Sequence, residues 1–220
     1  MKSFTITAAW KNWNRRWSDY SCRKSRNGSD RVGVLKRKLR IRFKTVIIFL
    51  AILVVILFVF DQAVLRVYPL KYRDLVQVYS ERFNVDPFLV FAIIKAESNF
   101  RPEAVSPKKA RGLMQISERT GKWGAEKLHL ADYSNEKLFD PEINIYIGCW
   151  YLSVLYDEFG DSDLVIAAYN GGSGNVAQWL KDRDLSADGK TLDRIPFRET
   201  DQYLKRVNNY YSMYKKLYES

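Results

Sequence analysis

Cysteine and histidine are scarce in this chain of 220 residues: Cys22 and Cys149 are its two cysteines and His129 its one histidine. A long apolar run between the two thiols places them on opposite sides of a membrane, which excludes a disulfide framework and a Cys-rich metal site. One imidazole argues against a His-ligated zinc centre and leaves a Ser or Cys nucleophile a single possible partner. Chemistry would therefore fall to carboxylates. Alternating apolar runs long enough for a large sheet are also missing, as is any internal repeat. The acidic loop from Asp182 to Asp193 fails as a calcium site in both registers. Starting at Asp182 puts Ala187 where glycine is required, and starting at Asp184 puts Ile195 where the bidentate glutamate belongs. No metal and no cofactor is expected.

Basic excess is missing from most of the chain too. Residues 1–44 hold fourteen Lys and Arg against Asp19 and Asp30, whereas residues 45–220 hold 22 basic and 23 acidic side chains. The net charge of +11 thus belongs to an N-terminal tail. Within it Trp10, Trp13 and Trp17 fall at near-helical spacing among Lys11, Arg15 and Arg16. That pattern fits an interfacial helix on anionic lipid, or a disordered basic flank that sets topology. Nucleic acid is not an expected partner.

What the chain does possess begins with TVIIFLAILVVILFVF, Thr45 to Phe60, bounded by Lys44 and Asp61. A spanning helix needs about 20 largely apolar residues, or as few as ~17, and flanking residues extend this one. The preceding basic region is too long for a cleaved signal peptide, and no small-x-small site follows. The reading is a signal anchor at 45–65. Arg37, Lys38, Arg40, Arg42 and Lys44 lie just before it, which puts the tail (1–44) in the cytoplasm and the rest (66–220) outside.

The outer part reads as mainly α. Apolar spacing predicts a helix over about 71–83. Asp86-Pro87 and Asp140-Pro141 are N-cap-plus-proline starts, the first opening a helix that ends before Pro102 and the second one that stops at Gly160. Further helices are expected over about 162–169, 174–181 and 199–217, with loops between. On the second helix Glu97 lies three, four and seven residues after Ile94, Ile93 and Val90, so its carboxylate shares the apolar face. Lost hydration raises the pKa of such a group, and a protonated carboxylic acid can donate to a leaving oxygen. A core-edge glutamate satisfied by backbone or by an Arg has the same helical position.

Five blocks then occur in order: AIIKAESNF, AVSPKKARGLMQIS, NIYIGCWYL, AAYNGGSGNV and IPFRETDQYLKRV. Together, over about residues 70–218, they resemble the SLT-type lytic transglycosylase domain of the goose-type lysozyme superfamily. The resemblance implies a lysozyme-like helical domain whose partner is peptidoglycan. It places Glu97 at the catalytic acid/base position. Ser106 and Gln115 fall at glycan-contacting positions of the cleft, and Glu199 matches a further cleft residue. Tyr169 and Asn170 fall beside the catalytic carboxyl, the tyrosine hydroxyl holding it and the asparagine facing the sugar. Two departures stand out: Ser117-Glu118 where many members have Met-Pro, and Asp201 where many have Arg.

The implied reaction breaks the β-1,4 bond between N-acetylmuramic acid and N-acetylglucosamine. Glu97 protonates the bridging oxygen, assisted by the substrate's 2-acetamido group, then takes the proton of the muramoyl 6-hydroxyl as a 1,6-anhydro ring closes. A hydrolytic muramidase, with Glu103, Glu118 or Glu199 positioning water, is the alternative within enzymes. A membrane-anchored wall-binding protein without activity is the alternative outside them.

Overall fold

The computed structural model describes residues 15–19, 21, 37, 43–59 and 62–219. Most of the basic tail, with Trp10, Trp13 and Cys22, lies outside the described residues; within it 15–19 are helical. Two compact units are present, Met1–Arg66 and Val67–Ser220. The first is dominated by helix α1, Phe43–Val67, which is long and apolar enough to cross a membrane. Its described large apolar side chains from Phe43 to Val59 are all exposed.

The second unit is mainly helical: α2 (Arg73–Arg82), α3 (Pro87–Glu97), α4 (Glu118–Lys127), a 3-10 turn (Asn135–Phe139), α5 (Pro141–Phe159), α6 (Ser162–Gly171), α7 (Ser173–Trp179) and α8 (Arg198–Tyr218). Among the described residues extended pairing is limited to isolated bridges that join Val105 and Ile116 to Arg111. The two Asp-Pro starts cap as expected, with Asp86 accepting from the Phe88 N–H and Asp140 from the Glu142 N–H. Gly160 closes α5 in the left-handed conformation.

Helix α3 is the axis of this unit. Leu89 through Ile94 are all buried, so it is apolar on every side, and α8 and α2 pack against it. From α8 come Tyr203, Val207 and Tyr214, at intervals of four and seven that keep them on one face. Helix α5 forms the second layer, touching α2, α4 and α6.

Helix α4 is the element that periodicity did not reveal. It carries Gly121 and Gly124, and glycine disfavours helix by about 1 kcal/mol each relative to alanine. Packing explains both. A side chain on Gly121 would collide with the Tyr133 hydroxyl, and a Cβ on Gly124 would lie 2.8 Å from Ile147 Cγ2 on α5. Ser117 starts the helix, its hydroxyl accepting from the Thr120 N–H at 3.1 Å. The Ser in place of Met at this position therefore acts as an N-cap.

Candidate active site

Glu97 is the last residue of α3, and the chain turns sharply behind it. Asn99 and Phe100 adopt φ of 50° and 63°, a conformation that disfavours a bulky side chain. Burial of Phe100 against Phe91, ring centroids 6.4 Å apart, holds it there. Burial raises the Glu97 pKa to about 7. Interactions with Tyr203 and Arg206 hold it down against this rise, and the Glu199 charge adds to it. The carboxyl is thus divided between its acid and base forms near neutral pH.

Two phenols flank it. Tyr169, at the end of α6, and Tyr203, on α8, are both held far above the ordinary tyrosine value, by burial first and the Glu97 charge second. The expected hydroxyl clamp from Tyr169 to Glu97 is not what the structure shows. Tyr169 Oη donates instead to the Met114 carbonyl at 2.8 Å. Tyr203 Oη faces the carboxyl, near enough to shift its pKa. It stops short of good hydrogen-bond geometry, and has no other partner among the described residues. The sequence reading missed Tyr203, although its spacing of four from Glu199 puts both on one face of α8.

The loop ahead of α4 is built around Asn144, a fully buried side chain of α5. Its amide accepts from Met114 N–H at 2.8 Å and donates to the Arg111 and Leu138 carbonyls at 2.9 and 2.7 Å. Met114 is therefore gripped at its N–H by Asn144 and at its carbonyl by Tyr169. Gly112, at φ 78°, passes so close to Asn144 and the Leu138 carbonyl that no side chain fits. Gln115 follows at φ 49°. Its Nε2 donates to the Ala104 and Gly112 carbonyls, both at 3.0 Å, which leaves its carbonyl oxygen as acceptor for a ligand.

The remaining expected residues form a rim. Asn170 Oδ1 accepts from Thr200 Oγ1 at 2.9 Å, tying the end of α6 to the start of α8. Ser106 Oγ accepts from the Ala110 N–H at 3.0 Å and closes the 106–110 turn. From that turn Lys108 reaches within 3.7 Å of Glu199. Asp201, the acid where many relatives have Arg, pairs with Lys205 at 2.8 Å on its own helix. A cation from a different loop thus faces Glu199. Of the other carboxylates weighed as water-positioning groups, Glu118 is exposed and bound to Lys122 at 2.7 Å, and Glu103 is exposed. Among the described residues no cluster of His, Cys, Asp and Glu could hold a metal ion.

The pattern of the transglycosylase SLT domain matches residues 74–191. The chain belongs to that family. Its SLT domain is 36% identical over 151 residues to the soluble lytic murein transglycosylase of Escherichia coli K12, a match covering 67% of this chain and 23% of that protein. It is 35% identical over 176 residues to the membrane-bound lytic murein transglycosylase C of Edwardsiella ictaluri, covering 67% and 47%. Among solved structures, an inactive Glu-to-Gln variant of lytic transglycosylase Slt from Pseudomonas aeruginosa superposes with a TM-score of 0.60 at 34% identity, over 68% of this chain and 24% of that one. The chain spans between about a quarter and a half of the length of these relatives. With these likenesses the helical, lysozyme-like fold expected of the sequence stands.

Proposed function

We propose that this protein is a peptidoglycan lytic transglycosylase anchored by α1, with its tail (1–44) in the cytoplasm and its SLT domain (66–220) on the wall side. One observation carries the reading: Glu97 is a buried carboxyl with a pKa of about 7. Such a group can give and retake a proton within one turnover. Glu97 protonates the oxygen between N-acetylmuramic acid and N-acetylglucosamine as positive charge builds on the muramoyl ring, and the substrate's 2-acetamido group assists. The resulting carboxylate accepts the proton of the muramoyl 6-hydroxyl, and the 1,6-anhydro ring closes. An intramolecular hydroxyl has a large effective concentration, so the protein mainly holds the sugar and cycles one proton. Tyr203 and Arg206 bias the carboxylate form, and burial biases the acid form. Gln115, Ser106, Asn170 and Glu199 supply polar contacts to the glycan, and Tyr169 fixes the Met114–Gln115 backbone from behind.

Relatives named for lytic murein transglycosylase activity support this reading, as does the inactivity of a Glu-to-Gln variant of one of them. The test is mass spectrometry of products from purified sacculi incubated with the full chain in detergent. Anhydromuramoyl ends are expected, one water lighter than the reducing ends a hydrolase would leave. Glu97→Gln should lower the rate at least about 100-fold. Reducing ends would overturn the anhydro step. Equal cleavage by both proteins would remove Glu97 from the mechanism, and binding of sacculi without cleavage would leave a wall-binding protein.

A further inference from the structure

A cavity of about 700 Å³ opens between α4, α5 and the α6–α7 junction. Arg119, Thr120 and Trp123 line it from one face of α4, and Tyr151 and Glu158 from one face of α5. None of these residues belongs to the proton-transfer machinery above. Trp123 is 39% exposed, although its ring is braced edge-on by Trp150, centroids 4.8 Å apart at 74°. A large aromatic side chain held rigid at the mouth of a cavity presents its face to a ligand.

The cavity is joined to Glu97 by a row of rings. Trp123 meets Tyr151 at 6.2 Å, and Tyr151 meets Tyr169 at 5.6 Å. Tyr169 in turn lies within electrostatic reach of Glu97. One cation and one anion line the cavity, Arg119 and Glu158, so the walls carry no net charge. Hydroxyls of Thr120 and Ser173 lie among apolar surface. An uncharged ligand with a C–H face and a hydroxyl edge suits such walls, which is the chemistry of a pyranose ring.

We infer that the cavity under Trp123 is a distal saccharide subsite, holding an N-acetylhexosamine ring of the strand whose cleavage bond lies at Glu97. The inference rests on the glycan-cleaving reading and names its specificity-determining residue. It also gives α4 a purpose: Gly121 and Gly124 draw the helix against its neighbours, and the Ser117 cap starts it where Arg119, Thr120 and Trp123 face the cavity.

The test is titration calorimetry of β-1,4-linked N-acetylglucosamine oligomers of two to five rings, on the full chain carrying Glu97→Gln so that no turnover intervenes. Affinity should rise at least tenfold from two rings to four or five. Adding Trp123→Ala should abolish most of that rise while leaving two-ring affinity within about twofold, and Trp123→Phe should restore at least half of it. Retained two-ring binding doubles as the folding control. An undiminished rise in Trp123→Ala overturns the subsite and leaves the function standing. The subsite is overturned equally if peptide-free oligomers show no length dependence, as expected were the cavity to read a charged stem peptide. Sacculus cleavage by wild-type protein, scored separately, decides the function itself.

Discussion

At the scale of single residues, Glu97 ties activity and stability to the same proton. Its pKa is raised from the ordinary 4.5 to about 7, so between those values the folded chain binds more protons than the unfolded chain. Stability is then fully present below the lower value and falls as pH rises through the upper one. Glu97→Gln removes this penalty. We expect the variant to match wild type near pH 4 in urea unfolding and to exceed it by on the order of 2–3 kcal/mol above pH 8. A constant difference across pH would show that the carboxyl is not desolvated. The neighbours act with opposite signs. Arg206 lowers the Glu97 pKa and Glu199 raises it. Arg206→Gln should therefore move the alkaline limb of the kcat/KM profile to higher pH, and Glu199→Gln should move it lower. A shift of both in one direction would mean that binding, not the carboxyl, sets the limb.

At the scale of elements, what was legible in the sequence follows from what local chemistry controls. The Asp-Pro starts of α3 and α5 are local signals, and the structure caps both as read. Glu97 on the apolar face was readable from spacing alone. Two features were not. Helix α4 has a composition that disfavours helix, because its glycines answer to Tyr133 and Ile147, distant in sequence. Tyr169 looked like the clamp on Glu97 because it shares the site. Its donor goes to Met114, a partner 55 residues away, and no motif encodes such a choice. Asn144 belongs with these long-range features: it satisfies three backbone groups across 6 to 33 residues. Asn144→Ala would leave a buried N–H and two carbonyls short of partners, costing about 2–4 kcal/mol. Activity should fall further than the folded fraction does, since the loop that carries Gln115 loses its hold. Activity that tracked folded protein alone would confine Asn144 to stability.

At the scale of the whole molecule, the start of the SLT domain is tied down more firmly than a linker needs. Three successive carbonyls just after α1's apolar stretch are bound by side chains of the domain. Lys95 Nζ donates to Val67 at 2.6 Å, Tyr218 Oη to Tyr68 at 2.6 Å and Tyr214 Oη to Pro69 at 3.2 Å. The Tyr68 ring meets Tyr214 and Tyr210 edge-on at 5.5 and 6.0 Å, and Lys95 lies 5.0 Å above its centre. These residues join the C-terminal half of α8 to α3, two positions before Glu97. The folded unit therefore begins at Val67 and not at the first predicted helix. A chain of residues 66–220 should unfold cooperatively and cleave sacculi without a membrane. One of residues 71–220 loses three hydrogen bonds, each worth about 1 kcal/mol, and an aromatic cluster contributing about 1 kcal/mol or more beyond its buried area. Its stability in urea should drop by about 3–5 kcal/mol, and its activity at 37 °C should fall with it. Equal unfolding midpoints for the two chains would show that the segment is only a tether, and that α3 keeps Glu97 in place unaided.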